Sequence, residues 1–245
     1  MKTLKPKEDA FGQMIWSLYK DSKVCEIIER DDRYVDAYPA KGYFSDYQEW
    51  PVFERKAFAL AKGRILDVGC GGGRHSLYLQ SKGFSVLGTD ISPLALKVCR
   101  LRGLKKTKLA PIEELNFEPD SFDTVIMMGN NFGLFAGFEK AKRLLKRLYR
   151  FTSENAMIVT DTLDPYKTDN PAHLAYHKKN KKKGRMGGQV RIRVRHKNYI
   201  GKWFDYLFVS KEEMNEILQG TGWAVKQFMD LEKEGRYIAI IRKTC

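Results

Sequence analysis

Two acids and a run of glycines are the residues whose types and spacing could do chemistry in this chain. Asp67 stands ahead of Gly69, Cys70, Gly71, Gly72 and Gly73, at the end of the apolar stretch Arg64–Val68. A helix-like run, Arg74–Ser81, follows. Glycines after a strand let the backbone approach a ligand and let the next helix begin close to the strand. The free N–H groups at that helix start face a polar or anionic group. Spacing narrows the ligand. In the dinucleotide pattern G-x-G-x-x-G the third glycine falls on Arg74 or, one register on, Ser76, so both registers fail. No phosphate loop of the G-x-x-x-x-G-K-[ST] kind occurs. Asp67 would repel a pyrophosphate and attract an ammonium group.

Asp90 ends the next apolar stretch, Ser85–Thr89. A carboxylate there can accept hydrogen bonds from both hydroxyls of a ribose. The alternative is that Asp90 caps the helix opened by Ser92 and Pro93. S-adenosylmethionine carries a ribose, an amino-acid ammonium and a sulfonium but no phosphate, and it suits both acids.

Three stretches, ILDVGCGGGRHSLYL, SVLGTDISPLAL and SFDTVIMMGNN, resemble the class I (Rossmann-like) S-adenosylmethionine-dependent methyltransferases. The resemblance covers about residues 50 to 242. The segment Tyr43–Pro51 is similar to a subgroup of unassigned substrate. The resemblance implies that Gly69, Gly71 and Gly73, with Cys70 between them, line the methionine part of the cofactor. It implies that Asp90 holds the ribose and Ile91 packs on the adenine. Pro111 occupies the position where relatives often carry an acid, which leaves adenine recognition to the backbone near Ile112 or to Glu113. Met128 and Gly129 are expected over the sulfonium.

Methyl transfer is an in-line displacement, and a base is needed only when the acceptor must shed a proton early. No residue stands out as the catalytic group. Asn130, Asp161 and Tyr47 are the candidates. Asp161 ends a strand, where it could face the crevice or cap a turn. Tyr43, Phe44, Tyr47 and Trp50 could fold over the cofactor as a lid or pack a helical layer. Base methylation on an exocyclic amine is disfavoured, because Gly129-Asn130-Asn131-Phe132 replaces the usual Asn/Asp-Pro-Pro-aromatic motif.

The elements that must position these residues alternate. Strands are expected at 64–68, 85–90, around 108–110, 122–128 and 156–161, with helices from Pro51 to about Ala61, at 74–81, from Ser92 and at 138–151. Continuous apolar strands alternating with helices predict a doubly wound α/β fold with a buried parallel sheet. The last two strands, Trp223–Leu231 and Arg236–Arg242, are joined by a tight turn at Glu232–Gly235. They make a seven-stranded, mostly parallel sheet with an antiparallel terminal strand, as the resemblance also implies. Gln189–Arg195 alternates apolar and basic residues and reads as a half-buried strand in a hairpin with Trp203–Val209 across Asn198–Lys202. Residues 8–30 read as one or two amphipathic helices, 31–49 as an aromatic loop and 167–188 as a mobile cover. The expected division is an N-terminal helical and aromatic lid segment, 1–50, and a methyltransferase domain, 51–245, with a substrate-side loop and hairpin at about 167–209.

The chain has 245 residues, with 44 basic and 30 acidic, a formal net charge of +14 and 43% hydrophobic residues. That composition describes a globular protein rather than a disordered or fibrous one. No apolar run of membrane-spanning length and no secretory leader is visible, and the four cysteines form no C-x-x-C pair. A cytoplasmic protein with reduced thiols and no metal site is expected. The basic clusters at 178–185, at Arg191, Arg193 and Arg195, and at 140–150 leave RNA open as a partner. The first reading is a methyltransferase for a small molecule. The alternatives are an RNA methyltransferase and a non-catalytic S-adenosylmethionine binder. The oligomeric state is not readable.

Overall fold

Short apolar strands that end where glycines or acids begin set the frame. In the computed structural model, which describes residues 4–20, 23–230 and 235–244, the elements run as follows. The N-terminal part holds α1 (Ala10–Lys20), β1 (Cys25–Arg30), β2 (Val35–Pro39) and α2 (Val52–Phe58). Then come β3 (Arg64–Val68), α3 (Arg74–Ser81), β4 (Ser85–Asp90), α4 (Pro93–Leu101), β5 (Thr107–Leu109), β6 (Phe122–Met127), α5 (Phe138–Phe151) and β7 (Thr152–Leu163). The last part holds α6 (Pro171–Lys182), β8 (Gln189–His196), β9 (Tyr199–Ile200), β10 (Phe204–Leu207), α7 (Lys211–Leu218), β11 (Trp223–Asp230) and β12 (Arg236–Lys243).

Seven strands form a sheet of order β11-β12-β7-β6-β3-β4-β5. The pairs β3/β4, β4/β5 and β6/β7 are parallel, and β12 runs antiparallel to both β7 and β11. This is the expected class I methyltransferase topology. The central strands are apolar throughout, with Ile65, Leu66, Val125, Ile126, Ile158 and Val159 at or near zero exposure, as a sheet covered on both faces requires.

Two compact units are distinguishable. One comprises residues 1–50, 64–115 and 191–204, the other residues 51–63, 116–190 and 205–245. In the first, α1 packs on α4 through Met14, Ile15, Leu18, Ala95 and Val98. In the second, α5 buries Ala141, Leu144, Leu145, Leu148 and Phe151 at helical spacing and turns its basic residues outward.

Four local expectations are corrected. Residues 25–30 are a strand and not a helix. Ile27 and Ile28 are β-branched, and antiparallel partners on both sides, β2 and β8, override the helical spacing. The aromatic stretch 31–49 contains β2 and two short 3-10 turns, Ala40–Phe44 and Tyr47–Glu49. Residues 167–188 are not a bare loop. Asn170 caps α6 by accepting from the Ala172 N–H, Pro171 takes the first turn, and the lysines gather at the C-terminal end, where the helix dipole favours them. The hairpin turns earlier than expected, with His196 opposite Tyr199 and Lys197 at φ 51°. A second sheet results, of order β10-β8-β1-β2 with β9 on β8, in which β1 runs antiparallel to β2 and β8. Leu231 to Glu234, most of the expected final turn, lie outside the described residues.

Candidate functional site

The glycine loop sits between β3 and α3. Gly69 and Cys70 both donate their N–H groups to the Thr89 carbonyl, at 2.8 and 2.9 Å, which pins the loop to the end of β4. Gly73 N–H closes a turn on the Cys70 carbonyl at 2.8 Å. Gly71 adopts φ 53° and Gly73 φ 79°, a region that side-chain-bearing residues avoid.

Asp90 reaches into this loop. One carboxylate oxygen accepts the Gly71 N–H at 3.0 Å and the other accepts the Ser92 N–H at 2.9 Å. Asp90 is 7% exposed, and burial pushes its carboxyl up to about 6. It therefore braces the loop and the next helix start together, and each oxygen keeps lone-pair capacity for a further donor. Ile91 beside it is 49% exposed. Asp67 is buried and accepts the Ser76 hydroxyl at 2.6 Å, and burial raises its carboxyl above the ordinary range. Ala110 N–H bonds the Asp90 carbonyl at 3.0 Å, which brings the chain leading to Ile112 alongside. Ile112 is buried and Glu113 is exposed.

Residues that sequence reasoning missed complete this neighbourhood. Asp9 is 2% exposed. It accepts from the Gly12 N–H at 2.9 Å, the Ser92 hydroxyl at 2.9 Å and the Leu94 N–H at 3.3 Å, so it caps α1 and α4 at once. Its position ahead of a helix could mark it as a cap, but no sequence signal gives a partner so distant in the chain. A Cβ built on Gly71 would lie 3.5 Å from both Phe11 and Tyr43, and one on Gly72 would lie 2.5 Å from Phe44. Tyr43 is held in turn by its hydroxyl donating to Glu26 at 3.0 Å. Tyr47 does not join them. Its ring stacks on Tyr78 of α3 at 4.3 Å and meets Trp50 edge-on.

The second unit brings together Met128, Gly129, Asn130 and Asp161. Gly129 (φ 82°) and Asn130 (φ 63°) turn the chain sharply after β6. Asp161 receives the Asn130 N–H at 2.7 Å on one oxygen and the Arg236 guanidinium at 3.1 Å on the other. Burial raises the Asp161 carboxyl while Arg236 works against the rise. The Tyr206 hydroxyl donates to the Asn130 carbonyl at 2.6 Å, with its ring against Gly133. Arg236 and Tyr206 carry no motif that could have announced them. A cleft of about 510 Å³ in this unit, lined by Lys62, Asp120, Asp123 and Glu154, lies at the other ends of β6 and β7 and holds none of these residues.

Residues 65–155 match the family model described as "Methyltransferase domain". A solved S-adenosylmethionine-dependent methyltransferase from Bacteroides fragilis, in complex with S-adenosyl-L-homocysteine, is 26% identical, with a TM-score of 0.84, and the match covers 100% of this chain and 98% of that one. The fold and the matched residues are those of the class I S-adenosylmethionine-dependent methyltransferases. The family's methyl donor is S-adenosylmethionine. A methyltransferase structure from Methanosarcina mazei, 21% identical with a TM-score of 0.61 over 81% of this chain and 99% of that one, shares the fold. The ubiquinone biosynthesis O-methyltransferase of Bordetella parapertussis is 38% identical over 81 residues, 31% of this chain and 34% of that protein. This methyltransferase thus matches about a third of the length of such curated relatives. None of its described helices is long and apolar enough to cross a membrane.

Proposed function

We propose that this methyltransferase moves a methyl group from S-adenosylmethionine to a small-molecule acceptor by in-line displacement. The observation that carries the reading is Asp90 bonded to Gly71: a buried carboxylate with spare lone pairs, beside left-handed glycines and an exposed Ile91. In this reading Gly69, Cys70, Gly71 and Gly73 line the methionine part, and Asp67 stabilises its ammonium through the loop. Asp90 accepts from the ribose hydroxyls and Ile91 packs on adenine. Ile112 and Glu113 border the adenine edge, while Met128 and Gly129 border the sulfonium.

When bound, S-adenosylmethionine supplies an electrophilic methyl and its own leaving group. The protein's residues hold, orient and exclude water. The N-terminal segment, through Phe11, Tyr43 and Phe44 packed on the loop, covers the glycines as a lid. Asp161 and Asn130 are the groups we place toward the acceptor. Tyr47, packed on Tyr78, is a stacking residue in this account.

Two readings compete. RNA as acceptor is favoured by the net charge of +14 and by exposed Arg143, Lys146 and Arg150 on α5. Against it, Arg193 and Arg195 both bond Glu29, at 2.8 and 3.2 Å, which removes two of the strand arginines from the basic face. A non-catalytic binder would hold the cofactor without turnover. A cytoplasmic location is part of the proposal.

The test uses S-adenosylmethionine labelled in its methyl group, incubated with the protein and a fractionated cell extract, with and without ribonuclease. Label in the low-mass fraction supports the proposal. Label in large, ribonuclease-sensitive material favours RNA, and no transfer with intact binding favours the non-catalytic reading.

A further inference from the structure

Buried polar groups in folded proteins are almost always hydrogen-bonded, so those that are not mark places worth explaining. Among the described residues three buried side-chain atoms lack a partner: Asn130 Oδ1, Arg236 Nε and Thr162 Oγ1. The first two converge on one carboxylate. Asn130 is tied to Asp161 through its backbone N–H at 2.7 Å, and Arg236 is tied to Asp161 through Nη2 at 3.1 Å. The β7/β12 register pairs Leu163 with Arg236 and Asp161 with Ile238, so Arg236 shares a sheet face with Asp161. Thr162, paired with Tyr237, lies on the opposite face.

The arrangement is held from several sides. Asn130 sits at φ 63°, a strained conformation for a residue with a side chain. Its carbonyl is fixed by the Tyr206 hydroxyl and its N–H by Asp161, so the side-chain amide is not needed to build the turn. Asp161 neutralises Arg236 and leaves Nε–H as a donor. The two atoms are buried, but their surroundings reach solvent: Gly129 is exposed, nothing lies within 4 Å of a Cβ built on it, and the Arg236 side chain as a whole is 37% exposed. One acceptor oxygen and one donor N–H, with their charges already compensated, are complementary to a neutral group that both donates and accepts. A hydroxyl does this. A methyl ether cannot donate, and an anion would meet Asp161.

We propose that Asn130 Oδ1 and Arg236 Nε form the polar anchor of the acceptor subsite and bind a hydroxyl group of the methyl acceptor, which places hydroxylated small molecules as the substrate class. This rests on the methyltransferase reading above.

The experiment titrates phenol, catechol and cyclohexanol, each beside its methyl ether, into protein saturated with S-adenosylhomocysteine. The readouts are the ¹H–¹⁵N resonances of the Arg236 Nε–H, assigned from Arg236→Lys, and of the Asn130 side-chain amide. Asn130→Gly removes Oδ1 while suiting the left-handed backbone, and Arg236→Lys keeps the charge beside Asp161. The expected result is a saturable shift of both resonances with at least one hydroxylated probe and no such shift with its methyl ether. Apparent affinity should drop by about tenfold or more in each variant, the loss of a hydrogen bond to a buried partner. Thr162→Val serves as the control and should bind the probe like the wild type. Ether binding as tight as the hydroxyl, unchanged affinity in both variants, or no shift with any probe would overturn the proposal. S-adenosylhomocysteine affinity, measured first, separates the cases: its absence in the wild type defeats the cofactor reading itself. Should one variant fail to fold, the wild-type resonances and the other variant decide.

Discussion

Burial pushes the Asp90 carboxyl up to about 6, with Asp9 adding to the rise, while N–H groups of Ser92, Gly71 and Ile91 pull it back. Asp9 and Cys70 are the titratable groups that interact with it. Its folded value therefore stands above the ordinary 3.8. For this group, stability is fullest below pH 3.8 and is lost as pH rises to about 6, by about 3 kcal/mol for a shift of that size. Asp90→Asn removes the titration. Its melting temperature relative to wild type should rise with pH across that window, and a pH-independent difference would count against the assignment. Cofactor affinity should run the other way, weakening as pH falls through about 6, because a protonated Asp90 loses an acceptor site. Asp9→Asn withdraws a repelling charge and should move that midpoint to lower pH, read by calorimetry with S-adenosylhomocysteine. The placement of Asp67 and Asp90 beside the glycine loop was legible, because strand ends and glycines fix where those side chains go. Asp9 was not, because its partners Ser92 and Leu94 are set by the packing of α1 on α4.

At the scale of elements, the glycine loop is constrained for two different reasons. Gly71 needs its φ of 53°, and an added Cβ there meets Phe11 and Tyr43 only at ordinary contact, 3.5 Å. Gly71→Ala should thus lose about 1–2 kcal/mol through backbone strain alone, measured by denaturant unfolding. Gly72 has no such φ, but its added Cβ would lie 2.5 Å from Phe44. Gly72→Ala should destabilise through that clash, and Phe44→Leu in the same chain should recover part of the loss. Equal effects in the single and double variants would show that Phe44 does not bear on the loop. The parallel strands and their helices were readable from continuous apolar runs and a cap such as Ser92-Pro93. The strands β1 and β2 were not. β1 pairs with β8, some 165 residues further along the chain, and Glu29 finds Arg193 and Arg195 only across that gap. Local periodicity cannot report a contact of that range.

For the molecule as a whole, the net charge of +14 overstates the free basic surface. Arg185 pairs with Asp205, Lys202 with Glu8 and Lys211 with Asp230, besides the arginines on Glu29. The lysines of α6 serve its C-terminal end. Binding to a structured RNA at physiological salt should accordingly be weak. A tight complex with a steep salt dependence would instead promote the RNA reading. The family was legible in the sequence because the loop, the spaced acid and the antiparallel last strand occur together. The joining of Tyr206 and Arg236 to Asn130 and Asp161 was not, since these residues come together only by the order of β6, β7 and β12.

The central claim is that Asp90 and the glycine loop hold the methyl donor. Calorimetric titration of S-adenosylhomocysteine into the wild type and Asp90→Ala, with melting curves confirming that both are folded, tests it most directly. The account predicts saturable binding of one molecule per chain in the wild type and a loss of about tenfold or more in the variant, the value of a charge-assisted hydrogen bond. Equal affinity in the two proteins would contradict it.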